Sequence, residues 1–163
     1  MRPSKSVSAS RTIISLQMLP SDANPMGNVH GGTILKLVDV AAAVAAMRHA
    51  RTNVVSASID RMDFYHPVYV GNLLILKASV NYTGQTSMES GVRIEAEDLK
   101  TGKITHTGSS YVTYVALDEE GKPAEVPEVT PQSKIEKRRW RDAKERKTQR
   151  LQFLAQQAKR KNP

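Results

Sequence analysis

From about Gly32 to Ala50 the chain reads GTILKLVDVAAAVAAMRHA, with alanine, leucine and valine covering nearly every side of a helical projection. A helix that is apolar all round is enclosed by the rest of the protein rather than laid on its surface. No further helix is expected until the C-terminal tail. Instead four strand-like runs follow, VVSASIDRMDFY (54–65), LLILKASVNYT (73–83), SMESGVRIEAED (87–98) and ITHTGSSYVTYVAL (104–117), and one, RTIISLQML (11–19), precedes it and stops at Pro20. The connections TGQT and LKTGK suit hairpins or short loops, so successive strands should pair largely antiparallel. In 87–98, Met88, Ser90, Val92, Ile94 and Ala96 alternate with Glu89, Arg93 and Glu95, which predicts one apolar and one wetted face. A single enclosed helix and a single antiparallel sheet have to bury each other. The expected class is therefore α+β, with a curved sheet wrapped around one long apolar helix.

A chain of 163 residues with 39% hydrophobic content supports one sizeable core. Residues 1–125 are expected to hold it. Residues 126–163 are expected to be an appendage, with the polar, proline-rich stretch DEEGKPAEVPEVTPQ acting as a linker into a charged helix. The formal net charge of +8 is unevenly placed. From Lys134 to Pro163 there are 12 Lys and Arg against 3 Asp and Glu, so the tail carries +9 and everything before it −1. The tail is rich in helix formers and follows a proline, which predicts a charged helix that frays at its end. Ile135, Leu151, Phe153 and Leu154 are too few for a core, so light packing on the body or a neighbouring chain is expected. Such a basic helix attracts polyanions, including the phosphates of a cofactor-like substrate. Nucleic-acid binding is not expected, because no helix-turn-helix, RNP or zinc-finger pattern accompanies the charge.

Lys36, Asp39 and Arg48 interrupt the only candidate membrane span, and the start MRPSKSVSASRT lacks the apolar segment of a secretory signal, so a soluble intracellular protein is expected. The chain has no cysteine, which removes disulfides, thiolate metal sites and a cysteine nucleophile. His30, His49, His66 and His106 are widely separated and show no metal-ligand spacing. No metal is expected.

DANPMGNVHGGTILKLVD, RHARTNVVSASIDRMDF, NYTGQTSMES and YVTYVAL, in that order between roughly residues 10 and 150, resemble the successive motifs of the hotdog-fold acyl-CoA thioesterases, most of all the cytosolic acyl-CoA hydrolase branch. The resemblance implies hydrolysis of a fatty acyl-CoA to a free fatty acid and coenzyme A in the cytoplasm. It implies no cofactor beyond the coenzyme A of the substrate, and a homodimer, assembled further as a trimer of dimers. It also implies that Asn24 and Asp39 match the catalytic asparagine and aspartate, and that one site takes them from opposite protomers.

The residues have a chemical reading of their own. Asp39 lies between Val38 and Val40, two turns into an otherwise apolar helix, where an uncompensated carboxylate is costly. Burial and nearby donors tune such a group for service as a base; the alternative is an exposed stripe with Lys36 as its partner. Gly31 and Gly32 open the helix, where free N–H groups and the positive dipole end can meet a thioester oxyanion, unless they merely form a tight turn. Asn24 can polarise the same carbonyl or hold the attacking water, or be a turn residue beside Pro25. His30 is a candidate beside the glycines, or a cap. Gly32 and Asp39 stand seven residues apart, roughly 10 Å along a helix, so one helix can hardly serve both ends of one reacting centre. The hole and the base should then come from two copies of the chain.

Asp39 as general base on water and Asp39 as nucleophile both fit the sequence. Val38, Ala42 and Ala46 are candidate walls for the acyl chain. The pantetheine arm is expected along VVSAS, at Val55 and Ser56. Its nucleotide end is expected at the turn carrying Thr83, Gly84 and Ser87, with Arg48 and Arg51 as further phosphate ligands. The other readings are a hydratase or dehydratase of the same fold, which needs a histidine paired with an acid, and a non-enzymatic acyl-CoA sensor or nucleic-acid binder working through the tail.

Overall fold

A computed structural model describes residues 2–161. The expected frayed end, Asn162 and Pro163, lies outside the described residues. In chain order the elements are β1 (Ser4–Ser6), β2 (Thr12–Gln17), the helix α1 (Gly31–Ala50), β3 (Asn53–Phe64), β4 (Leu73–Thr83), β5 (Ser87–Asp98), β6 (Lys103–Leu117), β7 (Glu128–Thr130) and the helix α2 (Lys134–Lys161). Five strands form one antiparallel sheet in the order β2-β4-β5-β6-β3. α1 lies across it, chiefly over β4 and β5, as expected.

Ile34, Val38, Ala41, Ala42, Ala45, Ala46 and His49 face the sheet and are buried. Leu74, Leu76, Ala78 and Val80 of β4, Met88, Val92 and Ile94 of β5, and Val112, Tyr114 and Ala116 of β6 complete the core. The helix ends because Arg51 takes a left-handed conformation (φ 62°) and closes the last turn with its N–H on the Met47 carbonyl at 2.7 Å. Enclosure on all sides does not hold. Val40, Val44 and Met47 are 45%, 36% and 44% exposed, so the face of α1 turned from the sheet is apolar and open.

Three further expectations are corrected. The 118–132 segment is not a free linker, since Val126 and Val129 are buried and β7 pairs in parallel with β1. The face of β5 expected to be wet is partly covered. Glu89 is buried against α2, where Arg146 grips it through Nε at 2.9 Å and Nη2 at 2.7 Å, while Lys77 and Arg93 neutralise buried Glu95. Finally, α2 does not pack through Ile135, Leu151, Phe153 and Leu154, all of which are exposed. Its middle is held by buried Ala143, by Trp140 against Tyr82, by the Arg146–Glu89 pair and by Arg150 on Asp60.

His49 ties the end of α1 to the 126–130 segment. Its side chain is fully buried and its Nε2 lies 2.9 Å from the Pro127 carbonyl, while Lys5 Nζ donates to the His49 carbonyl at 2.6 Å. Burial, aided by the charges of Lys5 and Arg2, lowers the imidazole pKa below its ordinary value of 6.5 despite the Pro127 bond. The unfolded chain therefore takes up this proton first. The stabilising contribution is present above about pH 6.5 and is lost as the pH falls below it, at up to about 1.4 kcal/mol per pH unit. Urea denaturation at pH 7.5 and 5.5 should show the wild type losing on the order of 1 kcal/mol more than His49→Gln over that interval.

Candidate active site

β3 is the edge strand of the sheet beside α1. Its pairing with β6 shifts register between Ser56 and Ser58 and again between Ile59 and Arg61. Such bulges sharpen the local twist and re-aim side chains. Between the two elements runs a groove of about 450 Å³, lined by Gly32, Leu35, Lys36 and Asp39 from α1 and by Ser56, Ala57, Ser58 and Ile59 from β3. Among the described residues Asp39 and Lys36 are its only ionisable lining groups.

Asp39 is half-buried, and its partner is not Lys36. The phenol of Tyr114, on β6, donates to Asp39 Oδ1 at 2.7 Å and also lies 2.9 Å from the Asp39 carbonyl oxygen. Tyr114 is 2% exposed. Burial, and next the bond to Asp39, push the phenol pKa far above its usual range, so it remains a donor at any physiological pH. In the β3–β6 register Tyr114 stands opposite Ser56, which lines the same groove as Asp39. Asp39 Oδ2 has no hydrogen-bond partner among the described residues.

At the start of α1 the two glycines differ. His30 is the N-cap, and its Nδ1 accepts the Gly32 N–H at 3.1 Å, so that donor is occupied within the chain. The His30 carbonyl accepts from the Thr33 and Ile34 N–H groups. The Gly31 N–H has no partner among the described residues, and the Phe64 ring sits where a Gly31 side chain would point, 3.5 Å from an added Cβ.

Asn24 belongs to a tight turn. Its Oδ1 accepts from the Met26 N–H at 2.9 Å, its own N–H donates to the Asn28 carbonyl at 2.7 Å, and Gly27 supplies the positive φ of 87°. It does not line the groove of Asp39 in its own chain. Val38, Ala42 and Ala46, the candidate acyl walls, are fully buried against the sheet and do not line the groove of Asp39.

Of the candidate coenzyme A ligands, Ser56 joins Asp39, while Val55 is on the open edge strand, 46% exposed. Arg48 and Arg51 line a separate cleft of about 740 Å³ at the far end of α1, with Val44, Met47, Asn53 and Leu117. Thr83 and Gly84 are buried, and their groups are engaged inside the chain. The Thr83 hydroxyl accepts the Val129 N–H at 3.0 Å, the Gly84 N–H donates to the Ser87 carbonyl at 2.7 Å, and Arg2 covers the Gly84 carbonyl. Ser87 is half-buried beside Lys147. Among the described residues no group of three His, Asp or Glu side chains could hold a metal ion, and no helix is long and apolar enough to cross a membrane.

Tyr114 is the site residue that carries no signal in the sequence. It contacts a residue 75 positions away, and only the strand order brings them together.

A helix laid on an antiparallel sheet with a carboxylate facing a groove at the sheet edge is the layout of a hotdog hydrolase, and comparison with known proteins places the chain within one family. The thioesterase superfamily model matches residues 26–103. The rat cytosolic acyl coenzyme A thioester hydrolase is 36% identical over 86% of this chain, which spans only 36% of that protein's length. A hexameric acyl-CoA thioesterase, solved in its apo form, superposes with a TM-score of 0.91 at 45% identity, covering 94% of this chain and 98% of that one. The Staphylococcus aureus acyl-CoA hydrolase, solved with butyryl coenzyme A, coenzyme A and coenzyme A disulfide, gives 0.90 at 38% identity, covering 96% of each chain. Variants of that enzyme with an aspartate, an asparagine or a threonine changed to alanine have also been solved. The chain belongs to the thioesterase superfamily, the hotdog-fold hydrolases of acyl-CoA thioesters.

Removing the His30 cap tests the local account of the helix start. His30→Ala should lower stability by about 1 kcal/mol, a shift of a few degrees in Tm by thermal unfolding, because the Gly32 N–H loses its partner.

Proposed function

We propose that this chain is an acyl-CoA thioesterase that hydrolyses fatty acyl-CoA to a fatty acid and coenzyme A in the cytoplasm, with Asp39 as the base that activates water. The observation that carries the reading is the Asp39 carboxylate itself: one oxygen is held by Tyr114 and the other is open to a groove of about 450 Å³. A carboxylate fixed in this way takes a proton from a water placed against its open oxygen. Direct attack of that oxygen on the thioester carbon, giving a mixed anhydride, is the competing chemistry.

The S. aureus variants support the assignment of residues. The asparagine, aspartate and threonine replaced there are spaced by 15 and 17 positions, and Asn24, Asp39 and Ser56 have the same two spacings. Ser56 thereby takes a role closer to the chemistry than a pantetheine ligand, as a hydroxyl beside Asp39 that holds the attacking water. Asn24 and the first-turn N–H groups of Gly31 and Gly32 stabilise the oxyanion, with Gly31 the donor that is open in the free chain.

Asn24 and Asp39 meet only if a second copy completes the site. The face of α1 turned from the sheet (Val40, Val44, Met47) and the edge strand β3 (Val55, Ile59, Phe64) leave large apolar side chains exposed, which a second copy would cover. A trimer of such dimers fits the hexameric relative. In this assembly the acyl chain runs along the α1–β3 groove past Leu35 and Ile59. Pantetheine follows β3 at Val55, and the phosphates meet Arg48 and Arg51, with Ser87 the nearest open group at the turn that carries Thr83 and Gly84. Within one chain no histidine lines the groove and His49 is sealed in the core, so the single chain lends a hydratase mechanism no support.

Thiol release from a chain-length series of acyl-CoAs tests the activity. Asp39→Asn should lower kcat about 10³-fold while the protein remains folded; unchanged turnover would sink the reading. Mixing tests the sharing of sites. Asn24→Ala and Asp39→Asn subunits, each inactive alone, should recover activity when refolded together, because a mixed dimer has one undamaged site. If both residues of a site come from one chain, the mixture stays inactive.

A further inference from the structure

The buried phenol of Tyr114 does more than fill the core. Its oxygen touches two acceptors at once, Asp39 Oδ1 at 2.7 Å and the Asp39 backbone carbonyl at 2.9 Å. A phenylalanine would fill the same space under α1, but would leave the carboxylate free to turn about its side-chain bonds. The two acceptors belong to one residue, so a single donor fixes both the height of that helical turn above the sheet and the rotamer of the side chain it bears. One carboxylate oxygen is then committed to the interior, and the other is presented to the groove beside Ser56. The remaining charged group at the groove is Lys36, one turn earlier on α1 and exposed; β3 contributes none to it, and Asp60 is held by Arg150 and Thr113.

We infer that Tyr114 is a positioning residue for hydrolysis. It acts through Asp39 by reserving Oδ1 and aiming Oδ2 at the water, and so raises the fraction of molecules in which base, water and thioester carbon are aligned. This inference rests on Asp39 being the base. The burial of the phenol strengthens it, because a phenol whose pKa is pushed far up stays a donor to Asp39.

The experiment is a double-mutant cycle on the oligomeric enzyme with Tyr114→Phe and Asp39→Asn, measured as kcat and KM separately. Tyr114→Phe should reduce kcat by about ten- to a hundredfold, the range expected for losing a hydrogen bond to a charged group, with KM changed less than about twofold. In the Asp39→Asn background the same change should have no further effect on kcat, because the group it acts through is already gone. Tyr114→Phe with unchanged kcat, whether or not Tm falls, would overturn the inference and leave Tyr114 a purely structural tie. Equal losses in both backgrounds would also overturn it. Failure of the underlying reading is separable, because it appears as full activity in Asp39→Asn alone.

Discussion

The close seating of α1 on the sheet is the constraint on which the rest depends. Small side chains, Ala41, Ala42, Ala45 and Ala46, make up most of its inner face after Val38, so the helix backbone comes near enough for a strand residue to bond to it directly. Replacing any of these alanines by a larger residue would lift the helix at a cost of roughly 1–3 kcal/mol. More to the point, it would move Asp39 away from the one donor that orients it. Packing and chemistry are thus coupled through a distance, the separation of helix and sheet. The same alanines give little apolar area per turn, and the chain compensates with a long helix whose buried face runs from Ile34 to His49.

Charge is used differently on the two faces of the sheet. The inner face carries the apolar core and the single carboxylate of the site. The outer face buries Glu89 and Glu95 beneath cations, with Arg146 forked onto Glu89 from α2 and stacked on Tyr111. A buried pair of this kind contributes little net stability compared with apolar packing, but it penalises heavily any arrangement that leaves one partner alone. It therefore registers α2 against the sheet rather than driving it there. The basic excess of the tail is partly explained by this role, since Arg146 and Arg150 serve the fold and are not free to recruit a polyanion.

Much of this was legible in the sequence, and the pattern of success follows from locality. The alternation of β5, the long apolar helix and the glycine pair before it are short-range signals, and the five strands of the main sheet and α1 lie within a few residues of their expected bounds, whereas the short β1 and β7 were not expected. Asp39 announced itself by being the wrong polarity for its neighbours. What could not be read was whatever depends on strand order. β3 pairs with β6 rather than β4, and only that pairing sets Tyr114 beside Ser56 and under Asp39. The open face of α1 was misjudged for a related reason, since an apolar helix looks enclosed whether the cover is its own sheet or another copy. The turn at Thr83 and Gly84 reads as open hairpin chemistry, but β7 and Arg2 come from both ends of the chain to use its polar groups.

The two ends of the α1–β3 groove are chemically unequal, and this inequality argues for a site assembled from two chains. At Asp39 the carboxylate is held and aimed in the free chain. At the helix tip the Gly32 donor is still bonded to His30, and only Gly31 is unengaged. A site complete within one chain would have both its base and its oxyanion donors set before substrate arrives, because preorganisation is what makes such donors effective. Here the carboxylate is set and the N–H donors are only half so. They also lie roughly 10 Å along the helix from it, too far to share one carbonyl. In the dimer proposed above, a second copy would remove both difficulties by bringing a helix tip and its Asn24 turn to each Asp39. On that proposal the apolar exposure of Val40, Val44 and Met47 would have the same origin as the incompleteness of the site, each being what one half of a shared structure leaves uncovered.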